Sequence, residues 1–230
     1  MKIQGIVFDK DGTLFDFNAT WGAWTRQMLM AETDDPETLQ RLANVLGYDL
    51  KNTRFHPGSI VIADTIDVVA DAIIAVSPSL EKDALITRMT AQSAKVPQVP
   101  VGDLKAIMGA LHAMGLQLGV ATNDNEAPAL ANIAQAGVLD AFTLILGADS
   151  GFGGKPATGQ LDQFCTVTGI SPGACLMVGD SLHDLHAGAA AGMIPVAVLT
   201  GPVLRDTLAP HAAVVLDSIA DLPGWIAAKA

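Results

Sequence analysis

The sequence predicts an α/β protein: a parallel sheet covered by helices on both faces, interrupted after its first strand by a long helical insert. Three observations carry this prediction. Short apolar runs bounded by Gly, Pro, Asp or Ser recur along the chain and have the length of buried strands. From about residue 100 onward these runs alternate with helix-like stretches, the pattern of a parallel sheet with both faces covered. Between about 18 and 99, by contrast, strand-like runs are almost absent.

The elements follow in order. "KIQGIVF" at 2–8 reads as the first strand. In the insert, Asp35 before Pro36 and Ser77 before Pro78 read as N-caps with proline in the first helical turn. Ile62, Ile66, Val69 and Ile73 fall on one helical face, as do Trp21, Trp24 and Met28, so the insert reads as a small helical bundle with an apolar interior. Further strands are expected at "LQLGVAT" (116–122), "FTLILG" (142–147), "ACLMVG" (174–179), "IPVAVL" (194–199) and "AAVVLD" (212–217). Helices are expected at 103–115, 125–137 and 158–169, each closed by a glycine, and "HAGAAAGM" at 186–193 reads as a tightly packed helix.

Composition narrows the function classes. Of the 230 residues 50% are hydrophobic, enough for a substantial core. No apolar run approaches the roughly 18 residues of a membrane span, and the first residues lack the layout of a signal peptide, so the expected setting is the cytoplasm, with no membrane partner. Cys175 opens an apolar run and reads as a small buried hydrophobe rather than as a disulfide partner of Cys165. The net charge of −11 opposes binding to nucleic acid, which needs an electropositive face. An anionic small molecule would have to be met by a few placed cations or a metal. The sequence carries no signature of oligomeric state.

In an open parallel sheet, ligands bind beyond the carboxyl ends of the strands, so the residues just after each apolar run are the informative ones. These are Asp9 and Asp11, Thr122 and Asn123, Lys155 in the loop "DSGFGGKPATG", and Asp180 with Asp184. Clustered carboxylates raise one another's pKa unless a cation sits among them. Hard oxygen ligands suit Mg²⁺, which commonly shares its shell with a substrate phosphate, and no His/Cys pattern points to zinc. A metal and a lysine among Thr and Asn donors can bind a phosphoryl group, with one carboxylate attacking phosphorus and its neighbour two positions on handling the proton.

"DKDGTL" at 9–14, "VATN" at 120–123, Lys155 before Pro156, and "GDSLHD" at 179–184 resemble, in order and spacing, the four motifs of the haloacid dehalogenase superfamily. The resemblance spans essentially the whole chain. It implies a Rossmann-like doubly wound core, residues 1–16 and 100–230, with an inserted all-helical cap domain at 17–99. It also implies that Asp9 is the nucleophile and a Mg²⁺ ligand, and that Asp11 is the general acid/base with its backbone carbonyl on the metal. Thr122 and Lys155 match the phosphate binders, Asn123 is a further contact, and Asp180 and Asp184 match the acidic pair that holds Mg²⁺.

A second Asp at position 11 resembles the phosphatase and phosphomutase branch rather than the dehalogenases. The pattern is most similar to phosphoglycolate phosphatase relatives, which implies a small phosphomonoester substrate, phosphoglycolate-like or a sugar phosphate. A beta-phosphoglucomutase-like mutase, or an idle binding module on the same scaffold, is the alternative. Specificity is expected in the cap, where Arg54 and His56 of "NTRFHPGS" would read a carboxylate or a second anionic group, or else be solvated loop residues. His183 reads as a rim residue, His186 as a surface or structural histidine, and Phe15 and Phe17 as candidates for shaping the pocket.

Overall fold

In the computed structural model, which describes residues 2–229, the first apolar run forms β1 (Gly5–Phe8), buried along its whole length. The insert follows with α1 (Phe17–Glu32), α2 (Pro36–Val45), β2 (Tyr48–Asp49), β3 (Arg54–Phe55), α3 (Ile66–Val76) and α4 (Lys82–Ser93). The chain then alternates through α5 (Leu104–Ala113), β4 (Gln117–Ala121), α6 (Glu126–Gln135), β5 (Leu144–Leu146), α7 (Gly159–Thr168), β6 (Cys175–Gly179), α8 (Leu182–Ala190), β7 (Ile194–Val198), α9 (Arg205–Leu208), β8 (Val214–Leu216) and α10 (Leu222–Ala227).

Six strands form one parallel sheet in the order β5-β4-β1-β6-β7-β8. The order reverses at β1, which lies between β4 and β6, and that reversal opens a crevice beyond the carboxyl ends of these strands. This is the doubly wound sheet the sequence predicts.

Strand alternation sorts the core into two layers. Ile6, Phe8, Leu118, Val120, Leu176 and Val178 face α5, α6 and α10, while Val7, Ala121, Cys175 and Met177 face α7 and α8. On the second face, Gly5 and Gly119 make room for the ring of Phe164 from α7. A Cβ at those positions would lie 2.9 and 2.6 Å from it.

The insert has its own apolar cluster, centred on Met28, Leu29, Leu42, Tyr48, Ile73 and Leu85. Asp16 caps α1 by accepting from the Ala19 N–H at 2.8 Å, and Asp35 caps α2 ahead of Pro36, as expected. Ser77 differs: it ends α3 rather than beginning a helix. Its φ of −127° and ψ of 76° lie outside the helical region that the following Pro78 disfavours, and α4 starts later, where Glu81 accepts from the Ala84 N–H at 3.1 Å. The insert is also not purely helical, because β2 and β3 pair as an antiparallel ribbon. Asp49 closes the turn by accepting from the N–H groups of Lys51 and Asn52 at 2.9 and 3.0 Å. Strands of two residues are too short to leave an alternating signature.

Truncating Phe164 to alanine empties the space under Gly5 and Gly119. The expected loss is about 3–5 kcal/mol in urea unfolding, against a change within about 0.5 kcal/mol for Val167→Ala on the exposed side of the same helix.

Candidate active site

The site is built where β1, β4, β5 and β6 end. The Asp9 N–H donates to the Val178 carbonyl at 2.8 Å, so Asp9 leaves β1 still tied to β6. Gly12 then turns the chain with φ +87°, a setting that favours glycine, and a Cβ there would meet the Asp180 carboxyl carbon at 2.4 Å. Asp180 follows β6 directly and is also crowded by Gly201, where a Cβ would stand 1.6 Å from Oδ2. These close approaches bring Asp180 against the turn that follows Asp9.

Lys155 joins the cluster from the loop after β5. Its ammonium lies 2.6 Å from Asp9 Oδ1 and 2.6 Å from Asp184 Oδ1. The other Asp184 oxygen accepts from the Ser181 N–H at 3.0 Å and the Ser181 hydroxyl at 2.7 Å, the capping box that opens α8. Asn123 fixes the loop: its Oδ1 accepts from the Lys155 N–H at 2.7 Å and its Nδ2 donates to the Lys155 carbonyl at 2.8 Å. Thr122 is buried at the end of β4, and its hydroxyl oxygen accepts from the Asp124 N–H at 3.1 Å.

Asp11 lies apart from the other acids, with different partners. The Trp21 indole N–H from α1 donates to its Oδ1 at 2.7 Å, and the Lys10 ammonium is 2.6 Å from its Oδ2. Lys10 is fully buried and also reaches Asp124 at 3.4 Å and Asn132 at 3.3 Å. Sequence reading passed over Lys10, Trp21 and Asn132 as site residues. The one available signal was a lysine set between two acids at the end of a buried strand, since a lysine drawn into a core needs partners. Its partner Asn132 lies 122 positions away.

The insert overhangs this edge and bounds a partly open cavity of about 110 Å³. Asp9, Asp11, Thr122, Asn123, Lys155, Asp184 and His183 line it from the core, and Phe17, Trp21, Trp24, Ile62, Ile66, Val69 and Met89 roof it. The Ala63 carbonyl of the insert accepts from Asn123 Nδ2 at 2.6 Å and lies 2.9 Å from His183 Nδ1. Arg54 and His56 do not line this cavity. They flank a separate surface depression with Asp49, Asn52 and Phe55, because the ribbon β2–β3 carries them there. Phe15 is buried in the sheet core, Phe17 stacks edge-on against Phe55 at 5.1 Å, and His186 faces His211.

The family model for haloacid dehalogenase-like hydrolases matches residues 3–192. The chain belongs to this family. The phosphoglycolate phosphatase of Neisseria meningitidis serogroup A is 30% identical over 201 residues, 86% of this chain and 81% of that protein. The phosphoglycolate phosphatase of Rhodospirillum rubrum is 36% identical over 122 residues, 53% of this chain and 50% of that one. The crystal structure of a predicted phosphoglycolate phosphatase from Haemophilus somnus superposes with a TM-score of 0.76 at 20% identity, over 98% of both chains, a likeness of fold. This haloacid dehalogenase-like hydrolase is therefore an enzyme of the phosphatase kind. No helix among the described residues is long and apolar enough to cross a membrane.

The electrostatics of the hydrolase site call for a cation. Asp9, Asp180 and Asp184 each offer an oxygen, all within 4.8 Å of one another. Set against the single ammonium of Lys155, three carboxylates leave two negative charges over, the charge a divalent ion balances. Both Asp180 oxygens are buried without a hydrogen-bond partner, so the donor set fits a metal. Burial raises Asp9 to about 7, with Lys155 pulling down and Asp184 pushing up, and burial with the neighbouring Asp9 and Asp184 raises Asp180. Burial alone would lower Lys155, but Asp184 and Asp9 outweigh it and hold the lysine charged.

A raised carboxylate keeps its proton in the folded state after the unfolded chain has lost it. Between pH 3.8 and about 7, metal-free protein is therefore expected to lose stability as pH rises. Scanning calorimetry in EDTA across that window should show a falling Tm. A divalent cation should restore Tm more strongly at the upper end than at the lower.

Proposed function

We propose that the protein is a Mg²⁺-dependent phosphatase that hydrolyses a small phosphomonoester through an aspartyl-phosphate on Asp9. The observation that carries this reading is the Lys155 ammonium shared at 2.6 Å between Asp9 and Asp184, beside the unpartnered Asp180 carboxylate, on the floor of a covered cavity. Lys155 occupies Asp9 Oδ1 and leaves Oδ2 for attack. That oxygen forms a bond to phosphorus as the ester P–O bond breaks, and Asp11 gives its proton to the departing alkoxide. In the second step Asp11 takes a proton from water as that water cleaves the acyl phosphate, releasing inorganic phosphate and restoring Asp9.

Both Asp11 oxygens are held in the free site, Oδ1 by Trp21 and Oδ2 by Lys10, so the proton-carrying form keeps the Trp21 bond and gives up the Lys10 contact at Oδ2, while Thr122 and Lys155 bind the phosphoryl oxygens. Asp9, Asp180 and Asp184, with the Asp11 backbone carbonyl, would hold Mg²⁺, which when bound neutralises phosphoryl charge. The roof excludes bulk water while the ester is cleaved.

A beta-phosphoglucomutase-like activity has less support, since the apolar roof offers few partners to a sugar bisphosphate that must turn over in place.

Asp9→Asn should abolish phosphate release while leaving the circular dichroism spectrum of the folded protein intact. Asp11→Asn should slow it by roughly 10²–10⁴-fold, and EDTA should stop the wild type until Mg²⁺ is returned. Substantial turnover by Asp9→Asn would remove the aspartyl-phosphate route.

A further inference from the structure

We propose that the leaving-group pocket selects a compact, uncharged, apolar or aromatic alcohol, so that the preferred substrates are simple alkyl or arylmethyl phosphates rather than phosphorylated acids or sugars. This deepens the phosphatase reading and rests on it. The roof facing the phosphoryl site is made by Trp21, Trp24, Ile62, Ile66, Val69 and Met89. The charged side chain that the insert adds to the lining is a carboxylate, Asp64. No lysine or arginine of the insert lines the cavity.

Both lysines of the site are already committed, and the His183 imidazole, which lines the cavity, has its Nδ1 against the Ala63 carbonyl at 2.9 Å. Lys155 is divided between Asp9 and Asp184, and Lys10 is fully buried among Asp11, Asp124 and Asn132. Arg54, the residue suited to grip a carboxylate, belongs to the separate depression. A substrate bearing a carboxylate besides its phosphate would thus carry a second anion into an apolar roof, with Asp64 as its charged neighbour from the insert. A sugar would lose water from several hydroxyls and find few side-chain partners above the phosphoryl site, Ser93 among them.

Shape points the same way. The space over the phosphoryl site, about 110 Å³, is partly open to solvent. Trp21 and Trp24 meet edge to face, with ring centroids 5.3 Å apart at 75°, and both line the cavity. Aromatic walls of this kind suit an alkyl chain or a single ring.

The test is kcat/KM for Mg²⁺-dependent phosphate release by the full-length wild type from butyl phosphate, benzyl phosphate, phosphoglycolate and glucose 6-phosphate. All four leave as alkoxides, so the comparison reports on the pocket more than on leaving-group chemistry. Butyl and benzyl phosphate are expected to exceed phosphoglycolate on the order of 100-fold. Trp24→Arg, which places a cation in the roof, should shrink that ratio at least about tenfold. Ile66→Lys offers the same test from α3 should the first variant fold poorly. Phosphoglycolate or glucose 6-phosphate turned over as well as butyl phosphate would overturn the inference and leave the phosphatase reading standing. No metal-dependent release from any of the four would remove both.

Discussion

Charge balance at Lys155 is the constraint on which the rest of the site depends. An ammonium this deeply buried is tolerable because two carboxylates lie 2.6 Å away, and those carboxylates are tolerable in turn because of the ammonium. The balance is incomplete without a cation, since Asp180 has no partner of its own. Loop geometry follows from this need. Gly12 and Gly201 stand where any Cβ would collide with Asp180, and Asn123 clasps both backbone groups of Lys155, so the lysine is held by the scaffold and not only by its charge partners.

The scaffold can hold such a charge cluster because the sheet beneath is apolar and close-packed on both faces. β1 lies at the reversal of strand order, flanked by β4 and β6, and its side chains alternate between two buried layers. Neither neighbour can shift without disturbing one of those layers. Carboxylates that would repel one another in a mobile loop are thereby fixed at the strand ends.

Much of this was legible in the sequence, for physical reasons. Parallel strands covered on both faces read as continuous apolar runs, and all six expected strands are present. The strand-end rule then picked out Asp9, Lys155, Asp180 and Asp184, which the structure brings together. What escaped depends on long-range contact or on very short elements. Lys10 finds partners more than a hundred positions away, and the ribbon β2–β3 is two residues deep. Ser77 has the composition of an N-cap, yet the helix before it runs on until Pro78 stops it. Arg54 carries the chemistry to grip an anion, but nothing in its local sequence says which side of the insert it occupies. The structure sets it outside the cavity.

The Ala63 carbonyl gives these parts a shared dependence. It accepts from Asn123, the residue that also aligns Lys155, and it lies against His183 at the mouth of α8. One side chain thus serves two purposes: the Asn123 amide that holds both backbone groups of Lys155 is also the group that ties the insert to the core, so the lysine loop and the insert share a single anchor.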